Sequence, residues 1–142
     1  MRTFDQWMTE YSVSHQNPTN KMIHNICIPV IFFTVVALLW KLSIFLFIPV
    51  ALAAIAFYWT MGKKVAILGA VMIGLALVLQ LALGFGYIML ILLFAAAWAG
   101  QFYGHKIEGQ KPSFLEDLMF LFIGPLWVAY PTLQKAGFTV EN

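Results

Sequence analysis

Apolar runs of bilayer length dominate this chain and leave few folds open to it. From Met22 the sequence is apolar to Trp40, is interrupted by Lys41, and is apolar again from Leu42 to Met61. Gly62-Lys63-Lys64 breaks the pattern and Val65 to Leu83 forms a third run. Gly84-Phe85-Gly86 makes a turn, and Tyr87 to Tyr103 forms a fourth run containing Ala95, Ala96 and Ala97. Each run is close to the ~20 residues that carry a helix across a bilayer core. Composition agrees: 62% of the residues are hydrophobic and 10% charged, against roughly 45–50% and about 25% for soluble domains. A soluble chain of 142 residues has no room to hide that much apolar surface. The expectation is an all-α integral membrane bundle, one membrane domain over residues 1–142, with about four transmembrane helices.

The polar ends carry their own signals. Residues 1–21 are mixed and polar, unlike a signal peptide, but Phe4, Trp7, Met8 and Tyr11 recur at helical spacing. That stripe would lie on the membrane surface or against the bundle. Asn17-Pro18 is a turn signal, and Pro18, Thr19 and Asn20 can open the next helix. Pro49 either kinks the second run or marks the corner between the first two. After Gly109-Gln-Lys-Pro112, Ser113 and Glu116 have the spacing of a capping box. The last apolar segment, Phe114 to Tyr130, is interrupted by Gly124-Pro125 and stopped by Pro131. It reads as a re-entrant or surface-lying helix rather than a fifth span. The lone cysteine, Cys27, cannot form an intrachain disulfide and reads as a buried thiol. A net charge of +2 gives no reason to expect nucleic acid as a partner. Gly100 with Gly104, and Ala66 with Ala70, are small-residue pairs suited to close helix packing.

Charge sets the orientation. Lys41 alone falls on the far side of a four-span chain. Arg2, Lys21, Lys63, Lys64, Lys106 and Lys111 share the near side, as does Lys135 if the last segment does not cross. The near side is then cytoplasmic. Four crossings separate His24 from His105, an even number, so both return to the cytoplasmic surface. His15, nine residues before His24, stays with them.

If the fourth run stays helical past Tyr103, Gln101, His105 and Glu108 fall at i, i+4 and i+7, on one face. Three histidines and a carboxylate at the membrane rim, with few other ionisable groups nearby, suggest a metal site. Neutral imidazole suits zinc, copper, iron and nickel. Asn20 and Gln101 each stand four residues before a histidine, placed to hydrogen-bond the ring nitrogen that a metal leaves free. Each residue also has a plainer reading. His15 can be a solvated loop residue, His24 and His105 interfacial groups, and Glu108 a solvated partner of Lys106 or Lys111. Trp40, Trp59, Trp98, Tyr103 and Trp127 read as belt or core aromatics. Scarce charge within the spans argues against a transporter.

The order Tyr11-x-x-x-His15-Gln-Asn-x-x-Asn20-x-x-x-His24-x-x-x-x-Pro29, then Trp98-x-x-Gln101-Phe-x-Gly-His105-x-x-Glu108, Pro112 and Ile123-Gly-Pro-Leu-Trp-Val128, covers nearly the whole chain. It resembles the small membrane-protein family whose fungal member is the iron-dependent 2-hydroxy-fatty-acid dioxygenase of phytosphingosine breakdown. One departure is Cys27-Ile-Pro29, where the family usually has a glycine before Ile-Pro. The resemblance implies that His15, His24 and His105 hold Fe(II), with Glu108 a fourth ligand or a supporting group. It also implies that a 2-hydroxy fatty acid and O2 give the acid one carbon shorter plus CO2. The acyl tail would stay in the lipid bilayer or run between helices. A bacterial copy would sit in the inner membrane, which the short loops favour. A eukaryotic one would resemble the endoplasmic-reticulum member. The rival readings are a non-enzymatic scaffold or lipid-binding protein with interfacial histidines, and a zinc hydrolase.

Overall fold

The computed structural model describes residues 2–109 and 114–140, side chains of 114–118 excepted. All regular structure among them is helical: α1 (Phe4–Val13), α2 (Pro18–Leu42), α3 (Ile44–Trp59), α4 (Lys63–Leu83), α5 (Tyr87–Glu108) and α6 (Phe114–Lys135). Local chemistry explains the boundaries. Thr3 and Gln6 form a reciprocal capping box that opens α1. The Asn17 side chain caps α2 through the Thr19 and Asn20 amides, with Pro18 in the first turn, where a missing N–H costs nothing. Gly84 takes the left-handed conformation that closes α4.

The corner between the first two apolar runs is at Ser43, whose extended backbone ends α2 and whose hydroxyl caps α3. Pro49 lies inside α3. Among the described residues three helices, α2, α4 and α5, are long and apolar enough to cross a membrane. α3 has 16 residues, or about 24 Å, less than the ~30 Å of a bilayer core. Large apolar side chains such as Phe45, Leu75, Ile88 and Leu92 are exposed along these helices, an outward-facing apolar belt far beyond what soluble surfaces carry.

The main axis of the bundle is α2 against α5. An added Cβ at Gly104 would strike Asn20 and crowd His24, whereas one at Gly100 would strike Cys27. Moving back along α5 therefore means moving forward along α2, so the two helices are antiparallel. His24 and His105 thus lie at the same end of this antiparallel pair. In α4, Ala66 is buried but Ala70 faces outward; the close approach is at Gly69, against the Tyr58 ring.

α1 lies on the bundle. Phe4, Trp7 and Tyr11 are buried, with Phe4 edge-on to Tyr130 (4.9 Å between centroids) and Tyr11 against Trp127 (5.0 Å). α6 departs from expectation: it continues through Gly124-Pro125 and past Pro131 to Lys135, where Gly137 closes it. Gly124 faces Ile28 and Tyr11 so closely that a side chain there would meet both. It serves packing, and the surrounding helices hold α6 across the hydrogen bond that Pro125 removes. The capping box expected at Ser113 and Glu116 lies outside the described residues.

Candidate metal centre

α5 stays helical through Glu108, and three imidazoles meet at the end of the bundle where it stops. The ring centroids are 4.2 Å apart for His15 and His24, 5.3 Å for His24 and His105, and 6.2 Å for His15 and His105. His15 and His24 are each 1% exposed, which removes the reading of His15 as a solvated loop residue.

Main-chain carbonyls fix two of the rings. His15 Nδ1 faces the Tyr11 carbonyl and His24 Nδ1 the Asn20 carbonyl (3.0 Å), each four residues earlier. A carbonyl only accepts, so Nδ1 carries the proton and donates, leaving a lone pair on Nε2. Those Nε2 atoms, and His105 Nδ1, are buried and without a hydrogen-bond partner among the described residues. Asn20 Oδ1 and Gln101 Oε1 share that state. An orphaned buried polar atom costs about 1–3 kcal/mol, so such a concentration at one place marks a site built for an occupant. Burial holds the His15 pKa below the ordinary value, helped by the charge of His105 and opposed by the bond to Tyr11. His15 is thus neutral at pH 7, the form that binds metals.

Imidazoles that share one ion through ~2 Å bonds place their centroids roughly 4.5–6.5 Å apart, close to the separations here. The nitrogens do not yet form a closed cage: among the described residues no three His, Cys, Asp or Glu stand ready to hold an ion. The donor set and its orphaned lone pairs have the chemistry that a metal requires.

Glu108 stands beside the rings without a carboxylate-to-lysine contact among the described bonds. Its Oε1 accepts from the Asn17 amide (2.9 Å) and from Asn20 Nδ2 (3.0 Å), tying the end of α5 to the start of α2. Asn20 thus serves His24 through its backbone carbonyl and uses its amide to bind Glu108. Gln101 is buried in the cavity wall.

A cavity of about 20 Å³, lined by Tyr11, Ile28, Trp98, Gln101, Phe120 and the three histidines among others, has room for roughly one water-sized occupant. Two aromatic residues packed on His15 were not assigned to the site in the sequence. Tyr11 stacks parallel on His15 (4.1 Å, 1°), and Trp127 leans on it at 5.3 Å while donating to Ser12 Oγ (3.0 Å). Both fall in the patterned motifs, which was the signal available; aromatic residue type alone pointed to belt or core.

These features define a class: a helical bundle able to span membranes, with three histidines, two of them buried, clustered at one end. The chain belongs to the family described as "2-hydroxy-palmitic acid dioxygenase Mpo1-like", whose model matches residues 1–136. It is similar to the 2-hydroxy-palmitic acid dioxygenase MPO1 of Saccharomyces cerevisiae, with 30% identity over 141 residues, covering 90% of this chain and 78% of the yeast protein. No solved structure matches the chain.

Proposed function

We propose that this chain is a bilayer-embedded, Fe(II)-dependent dioxygenase that shortens 2-hydroxy fatty acids by one carbon. The reaction R–CH(OH)–COOH + O2 → R–COOH + CO2 + H2O balances without a co-reductant, since the hydroxy acid gives up the four electrons that O2 accepts. The observation that carries the reading is the convergence of His15, His24 and His105 with three buried, unpaired ring nitrogens. The family and the name of the yeast relative support the substrate class.

His15, His24 and His105 would hold the iron. Bound there, ferrous iron supplies chelation of the substrate's hydroxyl and carboxylate and an open position for O2. The Tyr11 and Asn20 carbonyls orient two of the ligand rings, and stacked Tyr11 with Trp127 shields His15 from bulk water. The lysine distribution supports a cytoplasmic position for this end of the bundle.

Purified anaerobically, loaded with ferrous iron and given 2-hydroxypalmitate, the protein is expected to consume O2 and release equimolar CO2 and the fifteen-carbon acid. Zinc retention without O2 uptake would favour a hydrolase, and absence of any retained metal a scaffold; either overturns the proposal.

Glu108 provides a finer test. Glu108→Gln keeps an acceptor oxygen for Asn17 and Asn20 and should hold iron near the wild-type level. Glu108→Ala frees both partners and should weaken iron affinity about 10–100-fold, as loss of a supporting group does. Equal losses in the two variants, measured by metal titration, would instead make the carboxylate a ligand.

A further inference from the structure

We infer that the acyl tail of the substrate does not lie in the surrounding lipid but runs down α2 into an apolar cavity between α2, α3 and α6. The inference takes the head-group assignment from the proposed function and adds where the tail goes. A cavity of about 270 Å³, near the lower end of the ~300–1,000 Å³ of ligand pockets, lies beside the histidine cavity. Val35 and Leu39 of α2, Ala51 and Ala54 of α3, and Phe122 of α6 are among its walls. Leu121 lines both cavities, so one side chain is all that stands between them at that point.

The α2 register makes the path continuous. His24, Ile28, Ile31, Val35 and Leu39 follow one another at steps of three or four and share one helix face. The first three border the histidine cavity and the last two the apolar one. From His24 to Leu39 is about 22 Å along the helix axis. A sixteen-carbon chain, with fifteen C–C bonds of ~1.5 Å in a zigzag, reaches roughly 19 Å. A chain anchored at the histidines therefore ends within the cavity. The cavity offers it no competing polar partner: the Tyr58 hydroxyl in its wall already donates to the Phe122 carbonyl (2.8 Å).

Lipid is as apolar as the cavity, so burial alone gives no preference for it. Selection must come from fit, and fit fails by overpacking. Ala51→Phe and Ala54→Phe each fill the distant part of the path and leave the histidine end untouched. In either variant, the ratio of turnover of the sixteen-carbon to the eight-carbon 2-hydroxy acid is expected to fall at least ~10-fold. Binding is read separately with a 2-hydroxy fatty acid carrying a diazirine at its terminal carbon, photolysed in nanodiscs with the wild-type protein. The label should fall on α3 between Val50 and Ala54 and be competed away by unlabelled 2-hydroxypalmitate.

Labelling of outward residues such as Ile88 or Leu92, or labelling of α3 that resists competition (a bilayer tail in the cavity), would overturn the inference. So would active variants with an unchanged chain-length ratio. Labelling depends on binding and not on turnover. An absence of O2 uptake therefore sinks the catalytic reading alone, and mislabelling sinks the tail path alone.

Discussion

Replacing His15, His24 or His105 by alanine, one at a time, is expected to leave a folded protein holding less than about one tenth of the wild-type iron. Turnover of 2-hydroxypalmitate should fall at least ~100-fold. Each substitution removes one of three converging lone pairs, and loss of a ligand costs more than the 10–100-fold typical of a supporting group. Stability with and without iron separates this role from a structural one. A histidine kept for packing would destabilise the protein when removed. Here each ring carries a buried nitrogen without a partner, and deleting such a group relieves part of its desolvation cost. Removing His15 or His24 also leaves the Tyr11 or Asn20 carbonyl without its donor, so the metal-free variants should unfold below the metal-free wild type. The separating measurement is added ferrous iron, which should raise the unfolding temperature of the wild type and not of the variants. Iron content unchanged in all three variants, measured after anaerobic purification, would end the metal hypothesis.

What the chain disclosed in advance follows from which forces are local. Apolar runs near bilayer length located α2, α4 and α5, because length and hydropathy are properties of a single segment. His24 and His105 do meet, as the parity argument expected, through the antiparallel packing of α2 and α5. Asn17-Pro18 marked the start of α2 for an equally local reason.

The misses depend on neighbours. Gly124-Pro125 and Pro131 read as breaks because proline removes a hydrogen bond. α6 runs through them because α1 and α2 pack along it, and Gly124 is there to let Ile28 and Tyr11 come close. The sequence left the first corner open between Lys41 and Pro49; it lies at Ser43, beside Lys41, and Pro49 sits inside α3. Tyr11 and Trp127 pack on the His15 ring only because α1 and α6 meet there. Nor does sequence reveal that a backbone carbonyl, rather than the Asn20 side chain, would hold the His24 ring.

Gly104→Ala is expected to have a large effect for one added methyl group, and Gly100→Ala provides the comparison. At Gly104 the new Cβ would strike the Asn20 side chain and lie 3.1 Å from Cε1 of His24. The Asn20 side chain cannot swing aside freely, because its amide donates to Glu108 and to the Ser14 carbonyl. α2 and α5 must then separate, or the ring must turn. Sites of this kind tolerate about 0.5 Å of displacement, and 1 Å can cost on the order of 100-fold in rate. Gly104→Ala should thus lower iron affinity and turnover about 10–100-fold together.

Gly100→Ala instead sets its methyl 2.6 Å from Sγ of Cys27, one turn deeper in the same interface. Its cost should appear as lost stability of about 1–3 kcal/mol from overpacking, with iron binding largely kept. Cys27 fills space on α2 that Gly100 leaves open on α5. Cys27→Gly should accordingly rescue Gly100→Ala and do nothing for Gly104→Ala, a coupling that a double-mutant cycle measures directly. Rescue of both, or of neither, would mean that the two glycines do not act through the separate contacts described.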